Sequence, residues 1–220
     1  MRTRKEVQGW GLYVIVTSDL AKGRPVEEVV EKALAGGAGV IQLREKNLDT
    51  RELLRRAQVA RELTRRYGAL LIIDDRVDIA MAVSADGVHL GQSDMPAAVA
   101  RKLLGPDAII GVSVIGDAEL ALEAKRDGAD YVGVYVYATT SKPTDRLPVG
   151  PEGIRRLRQV PELADLPIVA IGGINRDNAA AVLAAGADCL SVLSAVVSAP
   201  DIEKAARDLA QVIQEARQNS

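Results

Sequence analysis

Cysteine and histidine are nearly missing from this chain, which has one of each among its 220 residues. With Cys189 alone an internal disulfide is excluded, and its place in an apolar run indicates a small buried residue in a protein of a reducing compartment. The single histidine, His89, stands within a strand-like run, which favours a packed, hydrogen-bonded role. A nucleophilic triad built on histidine is therefore not expected.

The chain also lacks a basic excess and a long apolar run. Its 28 lysines and arginines face 30 aspartates and glutamates, so we expect no binding to nucleic acid. No stretch reaches the roughly 18 apolar residues of a membrane span, and no apolar segment follows the charged residues 1–6. We therefore expect a cytoplasmic protein with no membrane partner. A homo-oligomer is compatible with the sequence.

Hydrophobic residues, in contrast, make up 48% of the chain, which is enough for one sizeable core. One pattern recurs: a helix end with glycine or another small residue, then Ala-Asp or Ala-Gly, then a β-branched apolar run. Such a junction leads from a helix into a strand buried on both faces. The pattern occurs at residues 36–41, 85–88, 128–132 and 186–190, and further apolar runs at 12–16, 69–73, 108–112 and 167–171 bring the predicted strands to eight.

Helical periodicity fills the gaps between these strands. The clearest helix is 51–67, with apolar residues on one side and arginines on the other, and Asp49 with Glu52 forms a capping pair before it. The other predicted helices are 26–35, 77–83, 97–104, 118–126, 152–159, 177–185 and 201–217. Uninterrupted βα alternation predicts an α/β fold, a single-domain TIM (β/α)8 barrel over residues 1–220 in which residues 1–10 form an N-terminal extension.

Acidic residues follow two consecutive predicted strands. Asp74 and Asp75 end the run that begins at Leu70, and Asp94 ends the segment 88–94. In such a barrel the active site lies where the strands end, and Mg²⁺ prefers a few carboxylates together with water and substrate phosphate oxygens. The pair Asp75 and Asp94 therefore predicts a magnesium site. The alternative is that these acids cap the following helices and neutralise Arg76.

Cationic and hydroxyl side chains follow other strands. Alternation along residues 42–46 sends Gln42, Arg44 and Lys46 to one side, towards the mouth of the barrel, although a solvated charged loop is an alternative. Strand five ends at Ser113. The long loop 137–150 contains hydroxyls beside Lys142, which is typical of an anion-binding lid; a surface loop without function is the alternative.

A glycine pair, 172–173, follows strand seven, and Ser194 follows strand eight. Barrels often bind a phosphate between the loops after strands seven and eight, where glycine lets backbone N–H groups approach the anion. The sequence thus predicts two anion sites, one with cations and metal and one with glycine amides and hydroxyls. This asymmetry indicates two phosphorylated small-molecule substrates.

Seven ordered segments resemble the thiamine-phosphate synthase family along nearly the whole chain. They are residues 12–17, 42–46, 73–78, 85–94, 139–142, 171–174 and 192–195. The resemblance implies a TIM barrel that uses Mg²⁺ to join an aminopyrimidine methyl pyrophosphate to a thiazole phosphate, releasing pyrophosphate and forming thiamine phosphate. It also implies a dissociative reaction, in which pyrophosphate leaves before the thiazole nitrogen attacks.

The resemblance implies roles for individual residues. Asp75 and Asp94 would bind Mg²⁺, and Gln42 would contact the pyrimidine. The catalytic groups would be those that hold the departing pyrophosphate: Arg44, Lys46, Ser113 and Lys142. The thiazole phosphate would be held through hydroxyls and backbone by Thr139, Ser141, Gly173, Leu193 and Ser194.

Three residues depart from the family pattern. Asp74 stands at a pyrophosphate-binding position where the family usually has Asn, and an ionised carboxylate there would repel the leaving group unless it is protonated or recruited to metal. Ala138 replaces a common Pro, and Ser141 replaces a common Thr but keeps the hydroxyl.

Three alternatives to a synthase stay open on the sequence. The first is a related thiazole tautomerase, although its histidine after the Gly-x-Ser segment is absent here, where Ile115 follows Val114, and it lacks the metal segment kept at 91–94. The second is a non-catalytic thiamine-phosphate binding protein. The third is a phosphate-binding barrel isomerase, which would need an acid and base pair suited to proton transfer.

Overall fold

The computed structural model describes residue 7, residues 9–139 and residues 147–218. In this part of the chain, strands and helices alternate from β1 to α9. The strands are β1 (Leu12–Val16), β2 (Ala38–Leu43), β3 (Leu70–Asp74), β4 (Gly87–Leu90), β5 (Ile109–Ser113), β6 (Tyr131–Tyr135), β7 (Ile168–Ile171) and β8 (Cys189–Val192). The helices are α1 (Val26–Ala35), α2 (Thr50–Tyr67), α3 (Val77–Ala82), α4 (Ala97–Leu104), α5 (Ala118–Arg126), α6 (Gly150–Arg158), α7 (Ala179–Ala184), α8 (Ser194–Val197) and α9 (Ile202–Gln218).

The eight strands form a closed barrel in chain order, and every pair of neighbours is parallel. Strand β8 pairs with β1, where Ser191 lies beside Tyr13. The predicted single-domain TIM barrel is therefore confirmed. Short 3-10 turns at Ser18–Leu20 and Pro161–Leu163, and the helix α8, were not apparent from the periodicity. None of the described helices is long and apolar enough to cross a membrane.

Helix α2 shows how local sequence sets an element. Asp49 Oδ1 accepts a hydrogen bond from the backbone N–H of Glu52 at 2.9 Å, which confirms the predicted cap. The residues that α2 buries recur at helical spacing, as the periodicity predicts, and are Leu53, Ala57, Ala60, Leu63 and Thr64. The helix thus covers the barrel with one face and presents arginines on the other.

Three aspartates join helices to strands at the N-terminal end of the barrel. Asp86 Oδ2 accepts from the backbone N–H of Leu71 at 2.7 Å and pairs with Arg61 of α2 at 2.5 Å. The same arrangement recurs two βα units further on and again two units later. Asp130 accepts from the backbone N–H of Ile110 and pairs with Arg101 of α4. Asp188 accepts from the backbone N–H of Ile168 and pairs with Arg158 of α6. We call these three groups the Arg–Asp clasps.

The barrel interior is filled at this same end by a cluster that includes Trp10, Tyr13 and Tyr131. Trp10 is 2% exposed and stands edge-on to Tyr131, with ring centroids 5.4 Å apart. The Trp10 carbonyl oxygen lies so close to Gly39 that a Cβ there would meet it at 1.9 Å, so only glycine fits. Although the sequence assigns residues 1–10 to an extension, Trp10 is part of the interior packing.

Candidate active site

A cavity of about 590 Å³ lies at the C-terminal ends of the strands. Residues from all eight strands or the loops after them line it. Most of the predicted site residues share this lining: Gln42, Arg44, Lys46, Asp74, Asp94, Ser113, Thr139, Gly173, Leu193 and Ser194. The fold thus brings together residues that are up to 152 positions apart, from 42 to 194. Asp75 lies outside the lining but contacts Lys46, which is part of it.

A chain of hydrogen bonds crosses the interior below the mouth. Gln42 Nε2 donates to Tyr13 Oη at 2.8 Å, and the hydroxyls of Tyr13 and Tyr131 are 3.0 Å apart. Tyr131 Oη lies 2.9 Å from His89 Nδ1, and His89 Nε2 lies 2.9 Å from Ser113 Oγ. The expected packed, hydrogen-bonded role of His89 is confirmed by these contacts.

The first donor, Gln42, determines which group donates and which accepts along this series of hydrogen bonds. With the Gln42 amide oriented as here, a consistent assignment has Tyr13 donate to Tyr131, and Tyr131 donate to His89 Nδ1. Burial raises the pKa of both phenols, so both keep their protons at neutral pH. His89 Nε2 then donates to Ser113 Oγ, and the hydroxyl proton of Ser113 is available to a ligand in the cavity.

Arg44 and Lys46 form a cationic side of the cavity. Lys46 Nζ lies 2.7 Å from Asp74 Oδ2 and 2.5 Å from Asp75 Oδ2. Burial would lower the pKa of Lys46, but these two carboxylates outweigh burial and raise the pKa, so the side chain stays charged. Arg44 Nε is 3.6 Å from Asp74 Oδ2 and, although buried, has no hydrogen-bond partner in the described part of the chain. A buried cationic donor without a partner suits an anionic ligand.

Asp75 is held in a strained and electrostatically crowded position. Its φ of 51° lies in the left-handed region that non-glycine residues rarely adopt. Burial raises the pKa of Asp75, and the nearby carboxylates of Asp74 and Asp94 act in the same direction while Lys46 opposes them. Strain of this kind is common at functional sites, and the crowding of carboxylates favours a cation.

The alternative role of these acids as helix caps is wrong. Helix α3 is capped at Arg76 and α4 at Pro96, and neither cap position makes a side-chain hydrogen bond. Asp94 Oδ2 accepts from the backbone N–H of Gly91 at 2.6 Å within its own loop. Arg76 pairs with Asp78, at 2.6 Å between Nη2 and Oδ2.

The glycine side of the cavity follows β7 and β8, across the barrel from the cations and acids that follow β2, β3 and β4. Gly172 and Gly173 have φ values of 96° and 57°, and a Cβ on Gly173 would lie 2.7 Å from the Cβ of Tyr137. Ser194 begins α8 directly after Leu193, and both line the cavity with Gly173. The predicted association of the glycine pair with Ser194 is therefore present in the fold.

Two predicted ligands of the substrates, Ser141 and Lys142, lie outside the described residues. Thr139 begins their loop on the described side and lines the cavity, where its backbone N–H donates to Tyr135 Oη at 3.0 Å. The roles of Ser141 and Lys142 stay predictions.

Several residues that line the cavity do not belong to the site predicted from the sequence. Tyr13 and Tyr131 lie in the hydrogen-bonded chain, and the Ser191 hydroxyl is buried without a hydrogen-bond partner in the described part of the chain. All three stand in or beside apolar runs that the sequence predicts as strands. The signal that could have found them is the alternation along each strand, which places every second residue in the barrel interior.

A closed βα barrel with cations, acids and a glycine pair at its C-terminal mouth defines the class: an α/β barrel whose polar side chains collect where active sites of this fold lie. A family model described as thiamine monophosphate synthase matches residues 12–196, and the chain belongs to this family. Its relatives named below are thiamine-phosphate synthases, which are transferases, and the chain is an enzyme of this class.

Individual relatives match over nearly their whole length. The thiamine-phosphate synthase of Moorella thermoacetica is 55% identical over 209 residues, covering 94% of this chain and 98% of the relative. That of Chloroflexus aurantiacus is 51% identical over 205 residues, covering 93% of each. A solved structure of a thiamine phosphate pyrophosphorylase from Pyrococcus furiosus aligns with a TM-score of 0.86 at 45% identity, covering 96% of this chain and 98% of that one.

Proposed function

We propose that this enzyme joins an aminopyrimidine methyl pyrophosphate to a thiazole phosphate, forming thiamine phosphate and releasing pyrophosphate. The observation that carries the proposal is the two-sided cavity. Arg44 and Lys46 form one side with the acids, and Gly173 with Ser194 forms the other. Two anionic groups bound at opposite sides of one cavity would bring their organic parts together between them.

The pyrophosphate belongs on the cationic side in this proposal. The unpartnered Nε of Arg44, the ammonium of Lys46 and the available proton of Ser113 would meet its oxygens, with Lys142 as a further predicted contact. Asp74 does not leave an uncompensated charge here, since it faces both Lys46 and Arg44. Its carboxylate would therefore compete with pyrophosphate for these cations without abolishing the site.

The residues present suit Mg²⁺. Among the described residues there is no group of three His, Cys, Asp or Glu side chains arranged for a metal, but Mg²⁺ typically takes one or two carboxylates together with water and substrate phosphate. Asp75 and Asp94 would hold the ion. Each of these carboxylates accepts its hydrogen bond, from Lys46 and from the Gly91 N–H respectively, through Oδ2, so these bonds do not use Oδ1. When bound, it would neutralise negative charge on the pyrophosphate oxygens.

The thiazole phosphate belongs on the glycine side. The positive φ values of the glycine pair turn the backbone sharply where a bulkier residue would collide with Tyr137. Leu193, Ser194 and Thr139 would contribute backbone and hydroxyl groups, with Ser141 as a further predicted contact. Gln42, fixed by its hydrogen bond to Tyr13, would orient the pyrimidine between the two anions.

We propose a dissociative mechanism on the chemistry of the side chains present. The bond between the pyrimidine methylene carbon and the pyrophosphate oxygen breaks with its electron pair leaving on oxygen, and the thiazole nitrogen then donates its lone pair to the cationic carbon. Among the described residues no nucleophile is activated for this: His89 Nδ1 is hydrogen-bonded to the phenol of Tyr131 instead of a carboxylate, so Ser113 is not activated as in a triad. The rate acceleration would come from stabilising the negative charge that develops on the departing pyrophosphate.

The test is pyrophosphate release by the purified enzyme, with both substrates, with each alone, and with or without Mg²⁺. Release that requires both substrates and the metal, with thiamine phosphate as the co-product, supports the proposal. No release despite tight binding of the thiazole phosphate would contradict it. That outcome would favour a tautomerase or a binding protein, although Ile115 offers no acid or base to a tautomerase.

A further inference from the structure

Glu45 lies between the two cations of the cavity but does not line it. Since residues alternate at the end of β2, Arg44 and Lys46 reach the cavity while Glu45 points away from it. The Glu45 side chain is 2% exposed, which is unusual for a carboxylate. Neither the proposed chemistry nor the binding of either substrate uses this group.

Three donors from two different elements hold the Glu45 carboxylate. Arg56 Nη1 of α2 donates to Oε1 at 2.8 Å. The backbone N–H of Ser18 donates to the same oxygen at 3.0 Å, and the Ser18 hydroxyl donates to Oε2 at 2.8 Å. Both oxygens are thus used, and the loop after β2 is tied to the turn after β1 and to the first half of α2.

This anchor fixes the loop that carries the two cations. The Arg44 backbone N–H donates to Val16 O at 2.9 Å, so the loop is joined to the end of β1 just before Glu45 as well as at it. Lys46 follows directly, and its ammonium must reach both Asp74 and Asp75. If the carboxylate is removed, Ser18 N–H and Arg56 lose a buried acceptor, and the loop must rearrange to satisfy them.

We propose that Glu45 is a positioning residue that holds Arg44 and Lys46 in place for the pyrophosphate group. This inference rests on the proposed function, because it assigns the pyrophosphate to the cationic side. Glu45 acts through its neighbours, so its removal selectively weakens the anion site beside them. The second anion site, at Gly173 and Ser194, is built on β7 and β8 and keeps its affinity.

The experiment measures binding of inorganic pyrophosphate with Mg²⁺, and separately of the thiazole phosphate, by isothermal titration calorimetry. Glu45→Ala should weaken pyrophosphate binding roughly tenfold to a hundredfold, as small misplacements of binding groups do, and leave thiazole phosphate binding unchanged. Glu45→Gln keeps the shape of the side chain and should weaken pyrophosphate binding less, which guards against a failure of the alanine variant to fold.

Two further variants separate positioning from general stability. Asp130→Asn breaks a comparably buried ion pair at the other end of the barrel and should lower the melting temperature without changing either affinity. Lys46→Ala should weaken pyrophosphate binding, and adding Glu45→Ala to it should cost less than in the wild-type background, because part of the effect of Glu45 passes through Lys46.

Equal loss at both anion sites, full additivity with Lys46→Ala, or unchanged pyrophosphate affinity in Glu45→Ala would each overturn the positioning role. A wild-type enzyme that binds the thiazole phosphate but not pyrophosphate would overturn the proposed function itself, and the inference with it. The two failures are therefore distinguishable.

Discussion

The two ends of the barrel use the same kinds of charged residue in opposite ways. At the N-terminal end, each Arg–Asp clasp pairs its charges and also satisfies a backbone N–H at the start of a strand, although Arg61 Nε of the first clasp makes no hydrogen bond in the described part of the chain. At the C-terminal end, Arg44 Nε lacks a hydrogen-bond partner in the described part of the chain, and Asp75 is strained beside two other acids. Each clasp aspartate pairs with its own arginine, while at the other end Asp74 and Asp75 both contact Lys46.

This contrast has an energetic meaning. Breaking a buried ion pair by removing one partner is costly, since the remaining charge is left without compensation. We therefore expect the unpartnered Nε of Arg44 and the crowded carboxylates of the C-terminal end to lower the stability of the free protein, and a ligand that satisfied them would recover part of that free energy. Sites that break local rules in this way are expected to be functional.

The largest expected effect comes from changing the acids of the C-terminal end. Asp75→Ala and Asp94→Ala should each lower turnover by about a hundredfold or more, on the scale of losing a group that stabilises transition-state charge. Circular dichroism should check that both variants fold, because Asp94→Ala also removes the acceptor of the Gly91 N–H and Asp75→Ala removes one partner of Lys46. Steady-state pyrophosphate release at several Mg²⁺ concentrations measures the effect, and near-normal activity with Mg²⁺ in both variants would contradict the metal assignment.

A change in an Arg–Asp clasp should lower the stability of the protein but leave its activity nearly unchanged. The Asp130 side chain is 7% exposed, and Asp130→Asn removes the charge that faces Arg101, so we expect a loss of about 3 kcal/mol in the free energy of unfolding. The activity per folded molecule should stay close to that of the wild type. Urea unfolding and turnover at low temperature provide the two measurements.

The matched control for the clasp is Asp165→Asn. This residue pairs with Lys125 but its side chain is 78% exposed, so we expect no measurable change in the free energy of unfolding. If Asp165→Asn destabilises as much as Asp130→Asn, the special stabilising role of the clasps is wrong.

The smallest effect concerns Cys189, which lies in the interior cluster near the clasped end. Burial raises the pKa of its thiol to about 12, so the reactive thiolate is nearly absent at pH 8 in the folded state. A thiol reagent should modify the wild type only as fast as the barrel opens, and faster in Asp130→Asn than in Asp94→Ala. Immediate labelling of the folded wild type would show that this end is not closed.

The sequence predicts the scaffold well because its signals are local. The apolar runs predict all eight strands, and the cap at Asp49 follows from residues within one turn. Because the C-terminal ends of parallel barrel strands meet at one mouth, the sequence also predicts that Arg44 and Ser194 share one cavity, although they are far apart in the chain.

What the sequence does not reveal depends on contacts between distant elements. Asp130 is visible as part of a junction pattern, but its pairing with Arg101 is set by the packing of α4 on the barrel. The link from Tyr13 to Tyr131 joins residues 118 positions apart. Asp74 is a further example. From the sequence alone its carboxylate is expected to repel an anion, and only the structure shows that Lys46 and Arg44 face it.

The packing of Trp10 under Tyr131 closes one end of the barrel interior, so traffic into and out of the cavity passes through the C-terminal mouth. In the proposed reaction, thiamine phosphate and pyrophosphate would both leave through this mouth, so both must clear it before a new pair of substrates can enter.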